Sequence, residues 1–553
     1  MRFISLFFVA ATALTSAAFA QPRTEPPRLA VVISVDQFRA DYLTRFRPHF
    51  VEGGFNRLLE NGAVFTDAHH RHAVTLTAPG HASILSGVFA ETHGIIANSW
   101  LDRASWQVVN SVEDRDSPLV GTTVPYSPGN IVALKAGRSP KNFRATTVGD
   151  QLKLRFGKNA RVFSASNKDR AAILLGGKLA DHVYWIEKGV FVTSRYYRSE
   201  LPAWVAAFNR EHEAKKHFGT KWERLLDASL YDALQGPDDA PGEGAPHGLA
   251  TTFPKIVDGG RKEVSTRFYS AFNITPLATE MLGAFAEQAL REEKLGRGAT
   301  TDLFCLSFSQ IDTAGHTYGP DSHEMMDSVL RLDRVLAKLF AAIDREVGLQ
   351  NCLIVLTADH GVSPMPERVK AMSSLIPAGR VSLKETEARI TEALNEKYGP
   401  LPNDGAWFTR NNTSFHLHKA ALEAKQLPPL EVATIVRDIL RTAEPVERAF
   451  TFAEIRDFPV DGDSLEAKVK RSYHPEISGE VFYTVKPYYF AREDGSQHGS
   501  PHNYDSHVPM IWFGVGIKPG VHPQRVGIDD LAPTLAGLLQ VPAPPQAAGR
   551  RLF

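Results

Sequence analysis

The chain has 553 residues, 43% hydrophobic and 22% charged, and its 62 Lys+Arg offset 62 Asp+Glu to a formal charge of zero. These proportions are ordinary globular usage and exclude a disordered or collagenous chain. Balanced charge also excludes a general basic field for nucleic acid or an acidic one for a basic partner, so any charged site is local.

Residues 1–20 read as an export signal. Arg2 precedes an apolar stretch over 3–14, and Ala18-Phe19-Ala20 puts small residues where cleavage needs them. The apolar part is shorter than the ~20 residues that span a bilayer. The expectation is a periplasmic or secreted protein, cleaved near Ala20, with no membrane association.

After a Pro-rich lead-in, the run 29–35 is apolar throughout and ends at Asp36. An unbroken apolar run suits a strand buried on both faces, as in a parallel sheet. Similar runs recur at 162–165, 303–311, 353–356 and 508–513, and 325–343 carries apolar residues at helical spacing. The pattern predicts one α/β domain over 28–553, with a mostly parallel central sheet and helices on both faces. Two stretches break the rhythm. Residues 185–265 are rich in aromatics and charge, and 380–470 carry helical patterns at 384–397 and 430–442 around a strand-like 406–417. Both are read as insertions that form a cap over one end of the sheet. Cys305 and Cys352 each precede an aspartate, Asp312 and Asp359, by seven residues. Equal offsets on neighbouring strands would allow a bridge, but two buried free thiols is the preferred reading.

The chemistry lies where acidic and imidazole residues fall. Asp36, Asp312 and Asp359 each follow a predicted buried strand, at the end where open α/β sheets bind ligands. A single aspartate there is usually a helix cap. Three of them, two with histidines at fixed offsets, point to a shared site. Asp312 and His316 are four apart and share a face if the segment is helical. Asp359-His360-Gly361 lets adjacent ligands splay, and Gln497-His498-Gly499 adds a third imidazole late in the chain. His507 is the nearest rival to His498, which is preferred for its following glycine. Mixed nitrogen and oxygen donors suit zinc better than calcium or magnesium, and six ligands suit two ions that share a substrate. A nucleophile is offered by 75–83, where Thr77-Ala78-Pro79-Gly80-His81 marks a turn opening a helix. On local grounds Thr75 and Ser83 remain alternatives to Thr77.

The ordered set of Asp36, Thr77-Ala-Pro-Gly-His, Asp312-x-x-x-His316, Asp359-His360-Gly and His498-Gly resembles the alkaline phosphatase superfamily. Within it, the chain looks most like the exported threonine-nucleophile alkaline phosphatases, relatives of the nucleotide pyrophosphatase/phosphodiesterases. The resemblance implies an alkaline-phosphatase-like fold and two Zn2+ ions. One would be held by Asp312, His316 and His498, the other by Asp36, Asp359 and His360 with the Thr77 hydroxyl. It implies a phospho-threonine intermediate on Thr77. Asn98 matches the family asparagine that donates to a phosphoryl oxygen. Lys168 and Arg170, on one side of a segment read as extended, match the family's phosphate-binding pair.

These readings converge on a zinc phosphate monoester hydrolase, a monomer acting on small phosphate monoesters, with Asn98, Lys168 and Arg170 gripping phosphate. The alternatives are a phosphodiesterase or nucleotide pyrophosphatase of the same superfamily, and a non-catalytic metal- or phosphate-binding protein. The cluster His69, His70 and His72 is read as packing and capping, and His81 as orienting the turn after Thr77.

Overall fold

The computed structural model describes residues 25–121 and 137–553, so the export signal expected in 1–20 lies outside the described residues. The strands that position the site, in chain order, are β1 (Leu29–Val35), β2 (Ala63–His69), β3 (Val162–Ser166), β4 (His182–Glu187), β5 (Val190–Ser194), β6 (Asp302–Phe308) and β7 (Cys352–Thr357), all in one sheet. A second sheet follows, built from β8 (Phe408–Asn411), β9 (Ser414–Leu417), β10 (Val446–Thr451) and β11 (Val481–Val485), before β12 (His507–Gly514) returns to the first.

The main sheet runs β2-β12-β7-β1-β6-β3-β4-β5, with short strands extending both edges. Its centre, from β7 to β4, is parallel. The flanks are not: β12 is antiparallel to both β7 and β2, and β5 to β4. Strands β1, β3, β6 and β7 are buried at every position, as their unbroken apolar runs require of strands covered on both faces. Each buried Val or Leu there contributes about 1.5–3 kcal/mol relative to exposure. The apolar run at 508–513 forms β12 as predicted but runs against its neighbour, because an apolar run does not encode strand direction.

Helix α1 (Thr77–Ser86) is buried along its whole length. Its Pro79 lies in the first turn, where a missing N–H has no helical partner to lose. Helix α2 (Asp169–Gly176) follows β3, and α3 (Gln310–Tyr318) starts two residues after β6. Helix α4 (His323–Glu346) covers the predicted 325–343, capped by the Ser322 hydroxyl, which accepts from the Met325 N–H at 3.1 Å.

The two stretches read as insertions differ in kind. In 185–265, the end of β4 and all of β5 belong to the main sheet, and Trp222, Tyr231 and Val257 belong to the main core. Residues 380–470 carry α5 (Lys384–Tyr398) and α6 (Pro429–Leu440), and with β8–β11 they bury a core of their own around Ile390, Trp407, Phe415, Val432 and Val436. The strand-like 406–417 is a hairpin of β8 and β9 turning at Asn412, which has φ 50°. Cys305 and Cys352 are buried free thiols. Their strands are not neighbours, since β1 lies between β6 and β7.

Candidate metal and nucleophile site

Asp36 follows β1 directly, and Asp359 and His360 lie just past β7, so two adjacent parallel strands deliver these side chains to one end of the sheet. Asp36 Oδ1 and Asp359 Oδ2 each lie 3.4 Å from His360 Nε2. All three residues are fully buried. None of these three atoms is satisfied by a well-formed hydrogen bond, although His81 Nδ1 approaches Asp359 Oδ2 at 3.1 Å. Buried polar atoms are almost always paired, so three unpartnered donor atoms facing one point fit a metal ion. Each residue offers a ligand atom within 4.8 Å of the other two.

The second group gathers around Asp312. It lies in the first turn of α3 rather than at the strand end, and the helix places His316 one turn on, with Nε2 3.3 Å from Asp312 Oδ1. The His498 Nε2 is 3.3 Å from the same oxygen and 3.1 Å from His316 Nε2. The Nδ1 of His316 pairs with the Ser496 carbonyl at 2.9 Å, that of His498 with the Thr75 carbonyl at 2.8 Å, and that of His360 with the Gly361 carbonyl at 2.9 Å. A carbonyl only accepts, so the proton sits on Nδ1 and each Nε2 lone pair faces the site, the usual arrangement for metal-bound histidine. The His360 ring stacks on His498 with centroids 3.6 Å apart, so His360 stands between the two groups.

Burial and charge set the protonation states. Burial lowers His316 to about 4 and His360 well below its ordinary value, which keeps both lone pairs available. Burial raises Asp36 to about 7, helped by the charge of Asp359. For Asp359 burial acts the same way, but His360 and His81 outweigh it and hold the carboxyl below the usual range. For His498 burial acts downward, but Asp312 outweighs it and raises the ring. A metal requires deprotonated carboxylates and neutral imidazoles, so it would displace protons favoured on Asp36 and His498.

Thr77 opens α1 and is buried. The helix rests directly on the Asp359 backbone: a Cβ at Gly80 would come within 2.2 Å of the Asp359 carbonyl oxygen, so only glycine fits there. His81 Nδ1 is 2.8 Å from the Thr77 carbonyl and 3.1 Å from Asp359 Oδ2, joining the helix to the group of Asp36, Asp359 and His360. Thr75 Oγ1 donates to the Ser500 carbonyl at 2.8 Å, and Ser83 Oγ to the Pro79 carbonyl at 3.0 Å, so both rivals to Thr77 are engaged in backbone contacts.

Asn98 Oδ1 accepts from the Ala78 N–H at 2.8 Å, which leaves its amide N–H groups to donate elsewhere. Lys168 and Arg170 do not flank an extended segment as expected. Helix α2 begins at Asp169, so Lys168 is its cap residue and Arg170 lies in the first turn. The Lys168 ammonium sits 2.8 Å from Asp36 Oδ2 and 2.5 Å from Asp312 Oδ2. Each carboxylate thus turns one oxygen to the imidazoles and the other to lysine. Arg170 keeps a buried Nε without a partner. His507 is not drawn in, since its Nε2 pairs with the Thr66 carbonyl at 2.9 Å.

One participant is invisible to motif reading. Gln37 takes a left-handed backbone (φ 65°), with its N–H 3.2 Å from Asp359 Oδ1 and its Nε2 donating to Asp312 Oδ1 at 2.8 Å. Non-glycine residues with positive φ gather at functional sites. The only sequence signal is its place beside Asp36.

The sequence profile described as type I phosphodiesterase / nucleotide pyrophosphatase matches residues 30–409. Alkaline phosphatase PhoV of Synechococcus elongatus is 31% identical over 554 residues, covering 99% of this chain and 96% of that protein. Alkaline phosphatase PafA of Elizabethkingia meningoseptica is 31% identical over 529 residues, covering 95% and 93%. The crystal structure of wild-type alkaline phosphatase PafA superposes with a TM-score of 0.88 at 30% identity, covering 96% of this chain and 99% of that one. The chain is a hydrolytic enzyme and belongs to the phosphodiesterase/nucleotide pyrophosphatase family of the alkaline phosphatase superfamily.

Proposed function

We propose that this enzyme is a zinc-dependent phosphate monoester hydrolase acting through a phospho-threonine on Thr77. The observation that carries the reading is the set of unpartnered atoms of Asp36, Asp359 and His360 facing one another beside the helix that Thr77 opens. Those residues with Thr77 Oγ would hold one ion, and Asp312, His316 and His498 the other. Two zinc ions bound there would supply Lewis acidity, easing loss of the Thr77 and water protons and countering charge on the transferring group.

Thr77 Oγ gives up its proton and attacks phosphorus, and the ester oxygen leaves with the bonding pair and takes up a proton. Water then attacks the phospho-threonine, releasing phosphate and restoring the hydroxyl. The free Asn98 amide N–H and the unpartnered Arg170 Nε are donors for non-bridging oxygens. A monoester dianion carries three such oxygens and gains more from these donors than a diester does. The whole-chain relatives that bear the name alkaline phosphatase support the same reading.

The substrates are small phosphate monoesters, met outside the cytoplasm by a monomer exported through residues 1–20. The unit built from 380–470 acts as a cap. Its Arg410, Asn412 and Thr413 line a cavity of about 410 Å³ together with His498 and Gly499. Steady-state rates on p-nitrophenyl phosphate and bis-p-nitrophenyl phosphate test the assignment. A larger kcat/KM for the monoester is expected, and a preference for the diester overturns it.

One observation favours a second reading, a phosphodiesterase. The Lys168 ammonium is held by two carboxylates instead of facing open space. If it stays there, phosphate loses one of its three positive or polar grips. Lys168→Ala separates the readings, since it lowers monoester turnover far more than diester turnover only if the ammonium reaches phosphate.

A further inference from the structure

A second histidine–carboxylate cluster lies outside the nucleophile site, on the antiparallel pair β2–β12. The register sets His507 directly opposite His69. Residues so paired project from the same face with Cβ atoms about 5 Å apart, and the two imidazoles stack with centroids 4.7 Å apart. Asp67 lies two residues before His69, where the pairing of β2 with β12 shifts register between Val508 and Met510. Its Oδ1 is 2.7 Å from His69 Nε2. One donor atom from each of Asp67, His69 and His507 lies within 4.8 Å of the other two.

The chemistry of the three groups suits a cation. His507 Nε2 pairs with the Thr66 carbonyl at 2.9 Å, which puts the proton there and leaves the Nδ1 lone pair free. His69 is buried while Asp67 and His507 are half-exposed, so the cluster opens to solvent on one side. Three protein donors with water completing the shell is an established zinc arrangement. Two nitrogens in three disfavour calcium and magnesium.

We propose that Asp67, His69 and His507 form an additional, peripheral binding site for a first-row transition-metal dication, zinc in particular. His69 also has protein partners, its Nδ1 the Ser506 hydroxyl at 3.2 Å and its Nε2 the Asp67 carboxylate at 2.7 Å. A cation bound here would therefore take the place of the proton shared by His69 and Asp67. Among the described residues the opposing charge at the cluster is Arg525, whose Nη1 is 3.3 Å from Asp67 Oδ1. Its Nε also holds Asp463 at 2.7 Å, so the guanidinium keeps a partner when Asp67 turns to a metal. The site is separate from Thr77 but adjoins its frame: His70, the next residue, donates its N–H to the Ser506 carbonyl at 2.9 Å, and its Nε2 lies 2.9 Å from the Ala358 carbonyl, just before Asp359.

The test uses the zinc-loaded enzyme dialysed against buffers of fixed free zinc, with metal counted per chain by atomic absorption. His507→Ala and Asp67→Asn change half-exposed side chains, and far-UV circular dichroism confirms that both variants fold. Wild type is expected to bind one more zinc than either variant over the same range. The variants' affinity for that ion should fall by more than about 100-fold, the upper end for losing even an outer-shell partner. The melting temperature should rise with zinc over this range in wild type only. Equal stoichiometry in all three proteins, or an extra ion that both variants retain, overturns the proposal.

Discussion

His316 Nε2 and His498 Nε2 lie 3.1 Å apart although 182 positions separate them in the chain, and each ring turns its Nδ1 to a backbone carbonyl. Two lone pairs at that distance repel unless a cation stands between them and Asp312. Removing zinc with a strong chelator is therefore expected to abolish turnover, and added zinc to restore it. His498→Ala should drop the metal content from two ions to one per chain. Two tightly held ions in that variant would detach His498 from the metal.

Thr77→Ala is expected to lower monoester turnover by about 10⁴-fold or more, as loss of a covalent nucleophile does elsewhere. The metal content should change little, because the carboxylate and imidazole ligands remain. Thr77→Ser keeps the hydroxyl and should keep part of the rate. Radiolabelled phosphate trapped on the wild-type protein in acid, and absent from the alanine variant, would place the intermediate on Thr77. Ordinary rates in Thr77→Ala would remove this residue from its role.

Gly80→Ala adds one methyl where the Asp359 carbonyl oxygen would stand 2.2 Å away. Either α1 or the Asp359 loop must move, at about 1–3 kcal/mol for an overpacked site. Because Thr77 and Asp359 sit on the two sides of that contact, the rate should fall more than the stability does. Thermal unfolding and kcat measured on the same preparation separate the two effects. A variant with wild-type kcat would show that this contact does not set the position of the nucleophile.

Acid should destabilise the fold below about pH 6.5. Burial lowers His70 to about 4, and lowers His93 and His182 to about 3, from a model-peptide value of 6.5. In this window the unfolded chain binds protons that the folded chain excludes, so stability is full above 6.5 and is lost as pH falls toward 3. His93 alone accounts for on the order of 4 kcal/mol across it. Burial raises the Asp505 and Glu324 carboxyls to about 7, which acts in the opposite sense over this window. The histidine contribution is therefore read as a difference in urea midpoints from pH 7 to pH 4 between wild type and a variant lacking one ring, and identical profiles would show that the ring is not held neutral. His93→Gln should make the profile shallower if the variant folds.

Much of the fold was legible because its cause is local. An unbroken apolar run suits a strand covered on both faces, and 29–35, 162–165 and 353–356 became β1, β3 and β7 almost to the residue. The four-residue spacing of Asp312 and His316 likewise told the truth about α3, since a helix turn is a local property. Strand direction was not legible: β12 looks like its parallel neighbours and runs the other way. The conformation at 168–170 was also misread, because a charged stretch after a strand is compatible with either an extended segment or the first turn of α2.

Composition, the apolar periodicity and the ordered aspartates and histidines sufficed to establish the fold class and the donor types of the site, because each depends on a residue and its near neighbours. Which donors face one another was decided only in three dimensions. That Lys168 joins Asp36 to Asp312, that Gln37 bridges Asp312 and Asp359, and that His507 faces His69 instead of His498 follow from strand order and register. Those are set by burying the entire sheet at once, a cooperative choice among distant segments that no single stretch of sequence carries.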